Sequence, residues 1–161
     1  MRVLSLSAIV CFVIDQATKW AVLYWAGLAQ RGVMDIFPPF LVFRLGWNEG
    51  INFGLFASGS QIARWLLVML ALVICGWIIW WAKTGLAHPM ARIAAGAVVG
   101  GTLGNVLDRI IYGAVVDFLN VSCCGIQNPF VFNMADVMIF IGAVGLLILA
   151  DRPKIPHQDA A

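Results

Sequence analysis

In a chain of 161 residues, 62% are hydrophobic and 11% charged, with a net charge of +2 and a mean hydropathy of +0.93. A soluble domain carries roughly 25% charged residues, so this composition excludes an ordinary water-soluble globule and makes lipid the main solvent. Lys and Arg are scattered singly, which excludes a nucleic-acid footprint.

A bilayer core about 30 Å thick needs roughly 20 apolar residues per helix, and four stretches reach that length: about 3–25, 62–82, 91–112 and 132–150. The first contains Asp15, Gln16 and Lys19. Arg2 before it and Gly27-Leu28-Ala29 after it also outline a cleavable leader. Leaders avoid charge in their apolar part, so the first stretch is read as a retained helix. Between the first two stretches, residues 40–47 and 51–56 are β-prone, and Asn48-Glu49-Gly50 between them has turn chemistry. They predict a hairpin or small sheet at about 36–57, opening at Pro38-Pro39 and lying on the membrane surface. The second stretch ends in Trp77, Trp80 and Trp81, an interfacial belt. The third carries Gly96, Gly100 and Gly104 at helical spacing, a stripe that lets a neighbouring backbone approach. The fourth stops at Asp151-Arg152-Pro153, before a short tail at 154–161 expected to be disordered.

The expected fold is a single integral membrane domain: an all-α membrane protein of four transmembrane helices. A small extracytoplasmic β-hairpin or sheet lies between helices 1 and 2. With the N-terminus inside, the inner side holds Arg2, Lys83, Arg92, Arg152 and Lys154, against Arg31, Arg44 and Arg64 outside. The positive-inside rule then places both termini in the cytoplasm. Cys11 and Cys75 read as small core residues. Cys123-Cys124 is an unusual adjacent pair; vicinal disulfides are rare, and the sequence leaves open whether the two are oxidised. No cysteine has metal-ligand spacing with His88 or His157, so no metal is expected.

Charges inside a span cost about 2.5–3.5 kcal/mol each, which makes them the main functional signal. Asp15 and Lys19 lie four residues apart on one helix face and can pair with each other; a structural ion pair and a direct substrate role both remain open. Asn105, Asp108 and Arg109 share a face, where Asp108 and Arg109 can neutralise each other. Asp117 and Asp136 have no obvious local cation. Asp117 follows the third helix. Asp136 lies near the start of the fourth, roughly 6 Å below its outer end, at similar shallow depth. Two such carboxyls in apolar surroundings tend to share one proton. That suits an aspartic peptidase, in which one carboxylate activates water and a carboxylic acid protonates the scissile carbonyl. It suits an ion or proton pathway equally. Asn133, three residues before Asp136, can orient it or the substrate. HExxH and GxSxG motifs are missing from the sequence.

Five segments occur together in order: Asp15-Gln16-Ala17-Thr18-Lys19, Asn48-Glu49-Gly50-Ile51-Asn52-Phe53, the 100–109 segment GGTLGNVLDR, Val115-Val116-Asp117-Phe118, and Phe132-Asn133-Met134-Ala135-Asp136. With them the chain resembles, over nearly its full length, the bacterial lipoprotein signal peptidases (signal peptidase II). It departs from the family pattern at Ile51 and Asn52 and in Cys123-Cys124. The resemblance implies an aspartic endopeptidase of the bacterial inner membrane, inhibited by globomycin and using no cofactor. Such an enzyme cleaves the signal peptide from prolipoproteins whose new N-terminal Cys carries a diacylglyceryl group. It implies Asp117 and Asp136 as the catalytic dyad near the periplasmic face. Asn48, Gly50, Gly101, Asn105, Arg109 and Asn133 would bind substrate or shape the site, with Asp15, Lys19 and Asp108 in support. Partners would be membrane lipid and the lipid-modified substrate, with no nucleic acid. The outer hairpin, with Trp47 and Phe53 as contact residues, would clamp the peptide.

Overall fold

The computed structural model describes residues 1–50, 61–123 and 128–150. Helix α1 spans Arg2–Trp20 and runs on into a π-helical turn at Ala21–Trp25; α2, Leu28–Arg31, is a single turn. The buried residues of α1 are Leu4, Asp15 and Lys19, whereas Leu6, Ile9 and Val13 face outward. Water would favour the reverse arrangement, so this helix is built for lipid outside and polar groups within.

Helix α3 spans Gln61–Thr84 and is likewise apolar on its free faces, with Leu66, Met69, Leu70, Val73 and Trp77 all exposed. Helix α4, Pro89–Tyr112, is the centre of the bundle and packs against α1, α3 and α5. Its start is set by Pro89 at the first helical position and by His88, whose Nδ1 accepts from Met90 N at 3.2 Å. Its buried residues are mostly small. A Cβ on Gly96 would meet the Leu4 carbonyl and Ser7, and one on Gly100 would collide with the Ala8 backbone. The glycine stripe therefore does what its spacing predicts, bringing α1 onto α4. On another face of α4, Gly142 of α5 (Met134–Leu149) lies 2.6 Å from the Ala94 carbonyl when a Cβ is placed on it.

Among the described residues, three helices, Arg2–Trp25, Gln61–Thr84 and Pro89–Tyr112, are long and apolar enough to cross a membrane, and α5 is a shorter apolar helix of 16 residues. The protein is thus mostly helical, with a small sheet. Strands β1 (Val33–Phe37), β2 (Leu41–Asn48) and β3 (Val115–Val121) form an antiparallel sheet in the order β1-β2-β3. Three expectations need correction here. The sheet starts at Val33, ahead of Pro38-Pro39, which instead lies in the turn between β1 and β2. It is not confined to the connection between helices 1 and 2, because its third strand follows α4. Both edges of β2 are taken, by β1 and by β3, so 40–47 is not one arm of a simple hairpin closed at Asn48-Glu49-Gly50. The other proposed arm, 51–56 with Phe53, and the tail at 154–161 lie outside the described residues.

Gly113, at φ 85, ends α4 in a left-handed turn that few other residues adopt. The chain then enters β3 at once. Phe118 packs with Val22 and Leu28 and makes an edge contact with Phe43 at 5.5 Å, fixing the sheet to the C-terminal end of the first span. Cys123 is disulfide-bonded, which the sequence left open; Cys124 lies outside the described residues. Cys11 and Cys75 are free, and Cys75 is buried, as expected of a core residue.

Candidate active site

Each of the two aspartates has a local structural cause. Helix α5 opens with a reciprocal cap: Asn133 Oδ1 accepts from Asp136 N at 3.0 Å, and Asp136 Oδ2 accepts from Asn133 N at 3.1 Å. The Asn-x-x-Asp spacing is a variant of the capping box, so the carboxylate of Asp136 is held in the first turn of the helix. Asp117 lies in β3 opposite Gly46 of β2. After β3 the chain returns along it: Asn120 Nδ2 donates to the carbonyls of Asn128 and Phe130, both at 2.8 Å, and Phe132 N donates to Leu119 O at 3.0 Å. This return brings Asn133 against Asp117.

Asn133 joins the two carboxyls. Its Nδ2 donates to Asp117 Oδ1 at 2.6 Å and to Asn105 Oδ1 at 3.2 Å, while its backbone N–H serves Asp136. Asn105 Nδ2 donates to Asp136 Oδ1 at 3.0 Å, and Asn48 Nδ2 donates to Asp117 Oδ2 at 3.1 Å. Asn48 is itself steadied by accepting from Gly50 N at 3.1 Å. Gly50 has φ 103 and a Cβ there would strike Leu67, so the turn admits little else.

Below this layer lies a buried ion triad. Lys19 Nζ is 2.8 Å from Asp15 Oδ2 and 2.6 Å from Asp108 Oδ2, and donates to Asn105 Oδ1 at 3.2 Å. The predicted Asp15–Lys19 pair therefore exists, but it is extended. Asp108 pairs with Lys19 rather than being neutralised by Arg109 alone. Arg109 Nη1 instead donates to Asn105 O at 3.4 Å, and its charge also acts on Asp117 and Asp136. Neither aspartate has a cation beside it in the sequence, as read, but the fold supplies charge to them: Lys19 acts on Asp117, and Arg109 on both.

Asp117 is 2% exposed. Its burial first, and the charge of Asp136 second, push its carboxyl up from 3.8 to about 6; the amide donors of Asn48 and Asn133 and the charge of Lys19 pull the other way. A carboxylic acid that keeps its proton up to about pH 6, beside a second carboxyl, can act as a general acid while its partner acts as a base.

Asn48, Gly101, Asn105, Asn133, Asp15, Lys19 and Asp108 thus gather with Asp117 and Asp136. Gly101 admits the Ala135 carbonyl, which would lie 2.7 Å from a Cβ there. Gly50 acts on Asn48 and does not touch either aspartate. Trp47 is half-exposed and packs on Tyr112, with ring centroids 5.7 Å apart. Three contributors had no site role in the sequence reading. Gln16 Nε2 donates to Asp15 Oδ2 at 3.1 Å and to Asp108 Oδ1 at 3.0 Å. Gly104 leaves room for the Asp15 carboxylate, and Gly46 lies beside Asp117. An intramembrane Gln next to Asp15 was the available signal for the first. Gly104 signalled close packing through its place in the glycine stripe, though not its room for Asp15; Gly46 gives no signal, since its role is the absence of a side chain.

Lipid-exposed helices around a buried polar centre with two neighbouring carboxyls define a membrane-embedded enzyme class. The family model described as signal peptidase (SPase) II matches residues 7–151. The lipoprotein signal peptidase of Rhodopseudomonas palustris (strain ATCC BAA-98 / CGA009) is 40% identical over 91% of this chain and 90% of its own length. The protein of the same name from Aeromonas hydrophila is 39% identical, over 88% of this chain and 83% of its own. Two solved bacterial membrane enzymes, obtained by the in meso method, share the fold. One has a TM-score of 0.75 at 25% identity, covering 91% of this chain and 92% of its own; the other has 0.69 at 26% identity, covering 89% and 84%. The chain belongs to the signal peptidase II family, and it is a protease.

Proposed function

We propose that Asp117 and Asp136 are the dyad with which this protease cleaves signal peptides from prolipoproteins, N-terminal to a diacylglyceryl-modified Cys. The observation that carries the reading is Asn133, which holds one carboxyl with its side chain and the other with its backbone. Shared donors of this kind keep the two groups at a set spacing, as a one-proton dyad requires.

In this mechanism Asp117 supplies the proton, since its carboxyl stays protonated up to about 6. Asp136 takes a proton from a water molecule, whose oxygen attacks the scissile carbonyl carbon, while Asp117 protonates the carbonyl oxygen. Collapse of the tetrahedral intermediate breaks the C–N bond. The proton on Asp136 goes to the leaving amine and the hydroxyl proton returns to Asp117, so the dyad is restored. Asn48, Asn105 and Asn133 hold the carboxyls, and Gly50 and Gly101 shape their surroundings. The buried Nε of Arg109, without a hydrogen-bond partner among the described residues, is a donor for a substrate carbonyl. Asp15, Lys19 and Asp108 support the site from beneath.

The substrate, a transmembrane signal peptide with two acyl chains, enters sideways from lipid, which suits a site at one end of an apolar bundle. The four apolar stretches support four spans, and the charge distribution of the loops supports both termini cytoplasmic with the sheet and dyad near the periplasmic face of the inner membrane. The test is cleavage in vitro of a diacylglyceryl prolipoprotein and its unmodified form, with and without globomycin. Cleavage of the modified form alone, blocked by globomycin, is expected. Equal cleavage of the unmodified form would refute the substrate assignment.

A further inference from the structure

The peptide N–H groups that precede the two aspartates are both held by the buried ion triad. Asp15 Oδ1 accepts from Ala135 N at 2.9 Å, one residue before Asp136. Asp108 Oδ2 accepts from Val116 N at 3.1 Å, one residue before Asp117. Each of these carboxylates is at the same time bound to the one ammonium of Lys19, at 2.8 and 2.6 Å. The third contact of that ammonium is Asn105 Oδ1 at 3.2 Å, and the same amide donates to Asp136 Oδ1. Gln16 Nε2 ties the two carboxylates together a second time. Asp15 is fully buried, Asp108 is 1% exposed and Lys19 3%.

From this arrangement we infer that Asp15, Lys19 and Asp108 are positioning residues that set the separation of the two aspartates, each carboxylate gripping the backbone next to one of them. The inference rests on the dyad reading above and adds to it the element that fixes its spacing. Ion-pairing and packing of α1 with α4 needs only the Asp15–Lys19–Asp108 contacts. It does not need both carboxylates to reach across to α5 and β3, the two elements that carry the aspartates, as Asp15 does with its second oxygen and Asp108 with the same Oδ2 that pairs with Lys19. A buried triad is a costly way to add stability, because the desolvation of three charges offsets most of their attraction. It is well suited to fixing one geometry. The spacing matters because a misplacement on the order of 1 Å can cost about 100-fold in rate.

Three variants test this: Asp15→Asn, Asp108→Asn, and the triple Asp15→Asn/Lys19→Met/Asp108→Asn, which leaves no unpaired buried charge if the single variants fold poorly. Each is measured as kcat and KM for a lipid-modified prolipoprotein peptide, per folded monodisperse molecule, with Asp117→Asn and Asp136→Asn as controls. The inference predicts a loss of roughly 10- to 100-fold in kcat for each single variant, with KM within about 3-fold. The triple should fall no further than about the worse single, because residues acting as one unit are not additive. Wild-type kcat per folded molecule, or a loss confined to KM, would overturn it and leave the triad a packing device. If the controls keep their activity, the dyad reading fails and the positioning inference falls with it.

Discussion

Asp117 is buried beside a second carboxyl, and its pH behaviour follows from that. Its folded value of about 6 lies above the ordinary 3.8, so the folded protein holds this proton more tightly than the unfolded chain does. The stability it contributes is full below about pH 4 and is lost as pH rises through about 6, up to roughly 3 kcal/mol at 1.36 kcal/mol per unit. Asp117→Asn, which has no such proton, should therefore gain stability relative to wild type as pH rises through that range. Thermal unfolding in detergent at several pH values reads this directly, and a constant difference would contradict it. For catalysis, loss of the shared proton should make kcat/KM fall as pH rises through about 6. Asn48 donates to the ionised form of Asp117. Asn48→Leu should therefore raise the Asp117 value and move that fall to higher pH; a pH–rate profile unchanged in position would show that Asn48 does not act on Asp117. At this scale Asp136 and Asn133 were legible in the sequence, because a capping box is a local spacing. The tie from Asn48 to Asp117 was not, since it depends on strands far apart in the chain.

Among the elements, α4 illustrates what small residues do. Its glycines bring α1 and α5 close enough for Asp15 and Asn133 to reach the same polar centre. Gly104 is the one of these positions that bears on the ion triad, because a Cβ there would land on the Asp15 carboxylate. Gly104→Ala should destabilise the protein by about 1–3 kcal/mol and lower kcat, by displacing Asp15 from Ala135 N. Gly76 on α3 has nothing within 4 Å of a Cβ, so Gly76→Ala is a matched control, expected to be neutral or to gain up to about 1 kcal/mol from helix propensity. Thermal stability and turnover measured on the pair distinguish crowding of the triad from a general effect of adding a methyl group. The packing role of the 96–100–104 stripe could be read from spacing alone. The sheet could not: β3 looks like a loop after a helix, and its pairing with β2 is a long-range match that turn signals at 48–50 do not reveal.

The whole molecule is held by an arrangement opposite to that of a soluble protein, with apolar side chains outward and charge inside. Composition was enough to show this, because no other solvent than lipid tolerates so little surface charge on 161 residues. Val73, in the middle of α3, is 63% exposed; Val73→Lys should cost about 2.5–3.5 kcal/mol on insertion and lower the yield of inserted protein in the membrane fraction. An unchanged yield would mean that this face of α3 does not meet lipid. The family relationship and the bundle agree on an enzyme that works within the membrane, with two aspartates at its polar centre. The direct measurement is cleavage of a diacylglyceryl prolipoprotein by Asp117→Asn and by Asp136→Asn, each verified as folded and inserted. Both should be inactive, with loss of activity of at least about 1000-fold expected for removal of a dyad member. Near wild-type cleavage by either variant would contradict the assignment.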